Sequence, residues 1–267
     1  MVNLVPVSRD THANQVWRRL QTFKFAAKDH YVPIAGLEFG RVVPTMPIAF
    51  VEVSGQLAPV AVLSPEPGKN AFVAPDGRWL APYVPLMFLT YPFRLLRQGE
   101  TEQFSLWVDS DADQLSDVAH ATELFYDLEG NLAPATKAAF ELLAKFEQNR
   151  IMTVAAVQTL VQEGVLCPWE FKLSDGGKER IVRGLQRVDE VALNKLSDDG
   201  FLRLRRSQAL PMAYAQLLSM GQLTVFAQLQ RLRSQMAAPV PPVPQSAPDT
   251  RPGESFTMID PDSLRFD

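Results

Sequence analysis

Cysteine and histidine are scarce in this chain of 267 residues, which has one cysteine and three histidines. A single cysteine cannot form an internal disulfide, so the fold is stabilised by other means, as is usual in a reducing compartment. Cys167 precedes a proline in an apolar stretch without a basic neighbour, which favours a buried structural thiol over a nucleophile. The histidines His12, His30 and His120 lack the spacing of metal ligands on one helix.

The chain also lacks an excess of positive charge and a long uninterrupted apolar run. Its 26 basic and 30 acidic residues give a formal charge of −4, whereas nucleic-acid-binding proteins usually present a basic surface. Residues 210–229 are the most apolar stretch, yet Gln216 and Ser219 interrupt it, which indicates a buried amphipathic helix. The N-terminal sequence MVNLVPVSRDTHANQ does not resemble a signal peptide. We therefore expect a soluble cytoplasmic protein with no membrane span and no nucleic-acid partner.

Familiar catalytic and cofactor-binding motifs are absent as well. The nucleophile elbow, the phosphate-binding loop and the dinucleotide-binding glycine pattern do not occur, so we expect no cofactor and no common catalytic class. Residues 109–113, DSDAD, match the first three ligand positions of a calcium loop. The match then fails, because Gln114 replaces the glycine of the turn and His120 replaces the closing glutamate. An acidic connection between a strand and a helix is favoured, and no metal site is predicted.

Apolar runs separated by turn signals predict strands in the N-terminal half. Residues 48–53 and 59–63 are predicted strands joined at a Ser-Gly pair, and 93–96 with 104–108 form a predicted hairpin. Together these strands predict an antiparallel sheet within residues 47–108 that packs against helices.

Helical periodicity dominates the C-terminal half. It predicts helices over 135–149, 153–163, 189–206 and 210–235, the second of them capped by its first residue. A hairpin near residues 169–185 surrounds a Gly-Gly turn. The predicted fold class is therefore α+β, with an antiparallel sheet in the N-terminal half and a mostly helical C-terminal half that carries a small β-hairpin.

Composition divides the chain into three parts. Residues 1–236 form one predicted α+β domain, with a sub-boundary left open near residue 130. Six prolines predict an extended linker over residues 237–253. The segment 254–267 regains apolar residues, which is typical of a short docking segment, with a frayed terminus as the alternative. Its predicted partner-binding residues are Phe256, Ile259, Leu264 and Phe266.

One segment near the middle of the sheet region has the composition of a binding surface. Arg78, Trp79 and Tyr83 are of the residue types enriched at the centres of protein interfaces. Prolines in the same segment stiffen the backbone and lower the entropy cost of presenting these side chains. Core packing is favoured for Trp79, and both interpretations stay open for Tyr83. We predict Arg78 and Tyr83 as partner-binding surface residues.

His30 and Glu38 are the weak catalytic candidates. An imidazole and a carboxylate form a familiar acid–base combination when the fold brings them together. A structural or surface role is the more common one for a lone histidine. No catalytic residue is predicted beyond this pair.

Several longer motifs occur in a characteristic order between residues 5 and 233. They are FAAKDHYVPIAGLEF (25–39), PIAFVEV (47–53), PVAVL (59–63), KNAFVAPDGRWLAPYVP (69–85), YPF (91–93), LFYDLEGN (124–131), GVLCPWEF (164–171) and GLQRVDEVALNKLSDDGFLRLRRSQALPMAYAQLLSM (184–220). In these motifs the chain resembles the SapC-like, or S-layer-related, family of bacterial proteins. The resemblance implies a cytoplasmic protein encoded near halogenase-like flavoproteins, cupin-like proteins and outer-membrane receptors. It supplies no catalytic residues.

These observations together predict a non-catalytic accessory protein that recognises a protein or peptide partner. The resemblance adds a link to modification or surface-uptake systems, with a halogenase-like flavoprotein as one candidate partner. Two alternatives stay open. One is an enzyme or enzyme subunit with a site near His30 and Glu38, and the other is a surface-layer-associated structural protein. Self-association into a homo-oligomer also stays open.

Overall fold

Antiparallel sheets and helices make up the computed structural model, which describes residues 3–53, 55–97, 103–116, 121–175 and 178–237. The strands are β1 (Leu4–Pro6), β2 (Val16–Trp17), β3 (Tyr31–Pro33), β4 (Ile48–Val53), β5 (Gln56–Val62), β6 (Phe93–Arg97), β7 (Phe104–Asp109), β8 (Glu123–Leu124), β9 (Leu166–Asp175) and β10 (Lys178–Val188). The helices are α1 (Arg9–His12), α2 (Phe39–Val42), α3 (Leu86–Leu89), α4 (Asp113–Ser116), α5 (Pro134–Gln162), α6 (Glu190–Asn194), α7 (Asp198–Arg206), α8 (Ala209–Ser219) and α9 (Val225–Ala237). The predicted α+β class is confirmed.

The described strands fall into separate sheets rather than one. A five-stranded sheet has the order β3-β5-β4-β10-β9, a three-stranded sheet has the order β1-β7-β6, and β2 pairs with β8. The C-terminal hairpin β9–β10 therefore joins the N-terminal strands, with Gln186 opposite Phe50. The sequence pattern predicted the strands but not their partners, because alternation fixes which residues face a core and not which strand lies alongside.

Helix α5 is one continuous helix of 29 residues, where the sequence predicted two. Pro134 occupies its first turn, where a missing N–H is tolerated. Thr153, the predicted cap, lies inside the helix, and its hydroxyl donates to the carbonyl of Asn149 at 2.7 Å. The same hydroxyl accepts the N–H of Gly36 at 2.8 Å. The helix start predicted at Thr153 is therefore wrong, and its hydroxyl instead joins α5 to the first residue of the 3-10 turn Gly36–Glu38.

The long helix contributes to the cores beside both larger sheets. Leu143, in its first half, belongs to the apolar cluster of Trp17 and Phe93 beside the three-stranded sheet. Ala156, Val157 and Leu160, in its second half, pack in a cluster with Phe50 of β4 and with residues of α7 and α8. The helix thus packs beside both larger sheets, through two separate apolar clusters.

The apolar stretch near the C-terminus forms α8, a 3-10 turn over Met220–Thr224, and α9. Within the part of the chain that the structure describes, no helix is long and apolar enough to cross a membrane. Gln216 and Ser219, the polar interruptions of the sequence, are fully buried. Gln216 Oε1 accepts the N–H of Val188 at 2.9 Å and Nε2 donates to the carbonyl of Ile48 at 3.1 Å. Ser219 Oγ accepts the N–H of Ile48 at 2.8 Å.

Replacing Gln216 by leucine is expected to lower the free energy of unfolding by about 2 to 5 kcal/mol. The change would leave the N–H of Val188 and the carbonyl of Ile48 without these buried partners. Gln228→Leu is the control, because Gln228 is exposed on α9 and exposed substitutions usually change stability by about 0.5 kcal/mol or less. Urea denaturation measures both variants, and equal stability of the two would contradict the role given to Gln216.

Candidate binding groove

An open groove lies over the five-stranded sheet, with a volume of about 690 Å³. Its floor is apolar and is formed by Tyr31 of β3, Val62 of β5, Val51 of β4, and Val182 and Leu185 of β10. These side chains belong to one apolar cluster, against which residues of the 3-10 turn and α9 also pack. The volume lies within the range of about 300 to 1,000 Å³ that is usual for ligand sites.

Charged side chains of both signs surround this floor. His30, Glu52, Glu66 and Arg183 line the groove. Glu66 pairs with Lys69 at 2.5 Å and Arg183 pairs with Glu170 at 3.5 Å, with most of these side chains open to solvent. Exposed ion pairs contribute little to stability, so these groups can exchange partners at low cost. An apolar centre with a charged rim is the usual anatomy of a protein-binding surface.

The groove occurs where β4 and β10 lose their pairing. Among the described residues, the two strands pair at Gln186 of β10 and Phe50 of β4. The pairing of β10 with β9 shifts between Val182 and Leu185, and Gly184 in that interval has a φ of +86°. A glycine in the left-handed region permits a bulge that other residues would strain. The bulge lies within the stretch of β10, residues 182–185, that lines the groove.

One wall of the groove is tied to the sheet. The carbonyl of His30 accepts the N–H groups of Leu63 and Ser64 at 2.8 and 3.1 Å. The hydroxyl of Ser64 in turn accepts the N–H of Glu66 at 3.0 Å, between two prolines. A wall fixed in this way loses little conformational entropy when a ligand binds.

His30 and Glu38 do not form the predicted acid–base pair. The ring of His30 contacts that of Tyr31, edge to face, at 4.6 Å beside the groove. Glu38 is buried in the core, and among the described residues its carboxylate accepts hydrogen bonds from three other groups. The donors are the hydroxyl of Tyr83 at 2.7 Å, the N–H of Leu86 at 2.9 Å and the N–H of Ala35 at 3.1 Å. Glu38 thus has a structural role, which corrects the expectation of a site shared with His30.

Electrostatics at Glu38 agrees with a structural role. Burial raises the pKa of its carboxyl, although the hydrogen bonds from Leu86, Tyr83 and Ala35 act in the opposite direction. Burial also raises the pKa of Tyr83, and the charge of Glu38 adds to that increase. The phenol therefore stays protonated and donates to the carboxylate.

Tyr83 was expected at the surface, and the structure corrects this expectation. The residue is 9% exposed and belongs to the main apolar cluster. Its hydroxyl is directed to Glu38, so a partner cannot use it without opening the core. Trp79 packs against Phe72 and Phe88, as expected of a core residue, and its indole N–H donates to the carbonyl of Tyr83 at 2.7 Å.

Arg78 remains at the surface, with its side chain 68% exposed. Its Nε donates to Asp76 at 2.6 Å, and its backbone N–H donates to the same carboxylate at 3.0 Å. The hydrogen bonds and charge of Arg78 lower the pKa of Asp76. Arg78 is thus an exposed side chain that pairs with the neighbouring Asp76.

The acidic segment begins at Asp109, the last residue of β7, which has a structural role. Asp109 is buried, and its Oδ1 accepts the N–H of Asn3 at 3.1 Å while Oδ2 accepts the hydroxyl of Tyr91 at 3.2 Å. Among the described residues, no group of three or more metal-binding side chains is placed to hold an ion. The first carboxylate of the calcium-loop pattern, Asp109, is therefore engaged in hydrogen bonds within the fold.

The remaining predicted site residues fall in the C-terminal segment. Phe256, Ile259, Leu264 and Phe266 lie outside the described residues, as does the predicted linker from residue 238 onwards. His120 also lies outside them.

Sequence reasoning did not identify the residues that form the groove. Tyr31, Val51 and Val62 look like ordinary strand residues, and their place along the groove depends on which strands become neighbours. Gly184 inside an apolar alternating run is the signal that could have been used, because glycine in a strand often marks a bulge. His30, by contrast, was singled out and does line the groove.

The fold and groove define an antiparallel α+β protein with a concave sheet surface. The chain belongs to the SapC family, whose family model matches residues 7–225. The resemblance inferred from the motifs is thereby confirmed. No curated protein and no solved structure matches the chain.

Tyr83→Phe is expected to lower the free energy of unfolding by about 1 to 3 kcal/mol, because the buried Glu38 carboxylate loses one of its donors. The ring and its packing are retained, so the change isolates the hydroxyl. Tyr214→Phe is the matched control, since Tyr214 is 45% exposed on α8. Thermal and urea unfolding of both variants measure the difference. A Tyr83 variant as stable as the Tyr214 variant would refute the structural role of this hydrogen bond.

Proposed function

We propose that this SapC-family protein is a non-catalytic accessory protein that binds an extended segment of a protein or peptide partner in the groove. The observation that carries the proposal is the apolar floor of five side chains from four strands, enclosed by a charged rim. An extended segment presents alternate side chains to one face, so it can place apolar groups on the floor and polar groups at the rim.

The chemistry of the groove favours binding over turnover. Apart from Tyr31, its titratable side chains stand at the rim, and Glu38, the carboxylate predicted to act with His30, is committed to the core. General acid–base catalysis requires an acid and a base within reach of the same reacting group. The SapC resemblance supports a cytoplasmic accessory role beside modification or surface-uptake systems, with a halogenase-like flavoprotein as a candidate partner.

Arg78 and the C-terminal segment are proposed as additional contacts. Arg78 is exposed and its ion pair with Asp76 is open to solvent, so its guanidinium can exchange that partner for one at an interface at low cost. We propose the domain boundaries expected from composition, with residues 1–236 as one unit, 237–253 as a linker and 254–267 as a docking segment. A tethered segment binds at a raised effective concentration, so weak contacts through Phe256 and Ile259 would suffice.

Tyr31→Ala is expected to weaken peptide binding to the groove by roughly thirtyfold, which corresponds to the loss of an aromatic hot-spot contact of about 2 kcal/mol. Peptides are first selected from a displayed random library on the unmodified protein, and their affinities are measured by fluorescence anisotropy. Tyr214→Ala removes an exposed tyrosine outside the groove and is the control. Arg78→Ala in the same assay measures the contribution of that side chain.

Two results would contradict the groove as the binding site. One is a selected set of peptides that bind the Tyr31 and Tyr214 variants equally well, after circular dichroism has shown equal folding. The other is failure to select any peptide whose binding depends on the groove. Turnover of a substrate that is lost on mutation of His30 would support an enzyme instead.

Deletion of residues 254–267 is expected to weaken partner binding or self-association and to leave the thermal unfolding of the remaining chain unchanged. The physical reason is the loss of the apolar residues Phe256, Ile259, Leu264 and Phe266 without any change in residues 1–236. Analytical ultracentrifugation and anisotropy measure association before and after truncation. Association and partner binding that are both unaltered would contradict the docking role.

A further inference from the structure

A second cavity, of about 410 Å³, lies between the sheets and α5. It is separate from the groove and shares none of its lining residues. Its walls are mainly apolar and include Ile34, Ala58, Met87, Leu95, Phe146 and Val154. Three charged side chains also line it, namely Arg94 of β6 and Glu147 and Arg150 of α5. A mostly apolar cavity with a few polar groups is the usual form of a small-ligand site.

Two of the three charges neutralise each other. Arg150 Nε donates to Glu147 Oε2 at 2.7 Å, and Arg150 Nη2 donates to Oε1 at 2.5 Å. A two-point contact of this kind commits both groups to one another. Among the charged side chains of the lining, Arg94 is therefore the one that pairs with neither of the others.

Arg94 has backbone carbonyls as its hydrogen-bond partners. Its Nη1 donates to the carbonyl of Phe93 at 2.9 Å and to that of Met87 at 3.3 Å. No ion pair between Arg94 and another described residue is present within 4.0 Å. Burial lowers the pKa of Arg94, while Tyr91 and the nearby carboxyls of Asp109 and Asp29 partly oppose the effect. A desolvated guanidinium without a directly paired anion is costly unless another group compensates it.

The nearby carboxyls are poor substitutes for a paired anion. Asp109 is already bound to the hydroxyl of Tyr91 and to the N–H of Asn3. Burial raises the pKa of Asp29, although Arg94 and His30 act against that increase. Both carboxyls act on Arg94 from beyond ion-pair distance.

We propose that this cavity binds a small amphipathic carboxylate, with its carboxylate on the guanidinium of Arg94 and its acyl chain or ring among the apolar walls. The planar fork of arginine matches the two oxygens of a carboxylate, and an anion there would pair with the half-buried guanidinium. The apolar walls would then gain contact with the hydrocarbon body of the ligand. This site is independent of peptide binding in the groove.

Octanoate is the probe, compared with octanol and octylamine by isothermal titration calorimetry on the full-length protein. The expected result is saturable binding of octanoate that is at least about tenfold tighter than that of octanol. Octylamine is expected to bind more weakly than both, since its charge repeats that of Arg94. These comparisons use the unmodified protein, so they do not depend on the folding of a variant.

Variants locate the binding within the molecule. Arg94→Met is expected to abolish the preference for octanoate over octanol, and Val154→Phe is expected to weaken both by filling the cavity. Arg97→Met is the control, because Arg97 lies on the same strand but is exposed. Absence of saturable octanoate binding, or octanol binding as tight as that of octanoate, would overturn the proposal. So would a preference that survives in Arg94→Met.

Discussion

The backbone of Ile48 connects the two halves of this protein. Its carbonyl accepts from Gln216 and its N–H donates to Ser219, while Gln216 also accepts the N–H of Val188. Helix α8 thereby supplies hydrogen bonds beside the point where β4 and β10 pair at Phe50 and Gln186. Because unsatisfied buried amides are costly, the five-stranded sheet depends on this contact. The groove depends on it in turn, since its floor takes Val51 from β4 and Leu185 from β10.

The polar side chains that stabilise the fold are buried, whereas those that line the groove lie at its rim. Buried polar side chains such as Glu38, Gln216 and Asp109 have partners within the fold and fix the positions of loops and strands. The charged groups of the groove stand at its rim instead, where His30 and Arg183 remain accessible to a ligand. This division suits a protein that recognises a partner through a fixed apolar surface, with polar groups that adjust to what is bound.

Local features of the fold were predictable from the sequence, whereas long-range partners were not. Alternating apolar residues and turn residues predicted strands β4 to β7 with nearly the observed bounds, because these signals are local. Thr153 was misplaced as a helix cap because its backbone partner, Gly36, is distant in sequence. Tyr83 was misplaced for the same reason, since the carboxylate of Glu38 draws its hydroxyl into the core. The groove itself could not be predicted, because it requires knowing that β10 lies beside β4.

Site-specific photo-crosslinking in the native host tests most directly whether the groove binds a polypeptide segment. A photoreactive amino acid at position 182, in the groove, is compared with one at position 228, on the exposed side of α9. Groove binding predicts adducts at position 182 that map to one short segment of a polypeptide and that excess groove-binding peptide suppresses. Adducts of equal yield at the two positions, or adducts at position 182 that the peptide does not suppress, would contradict it.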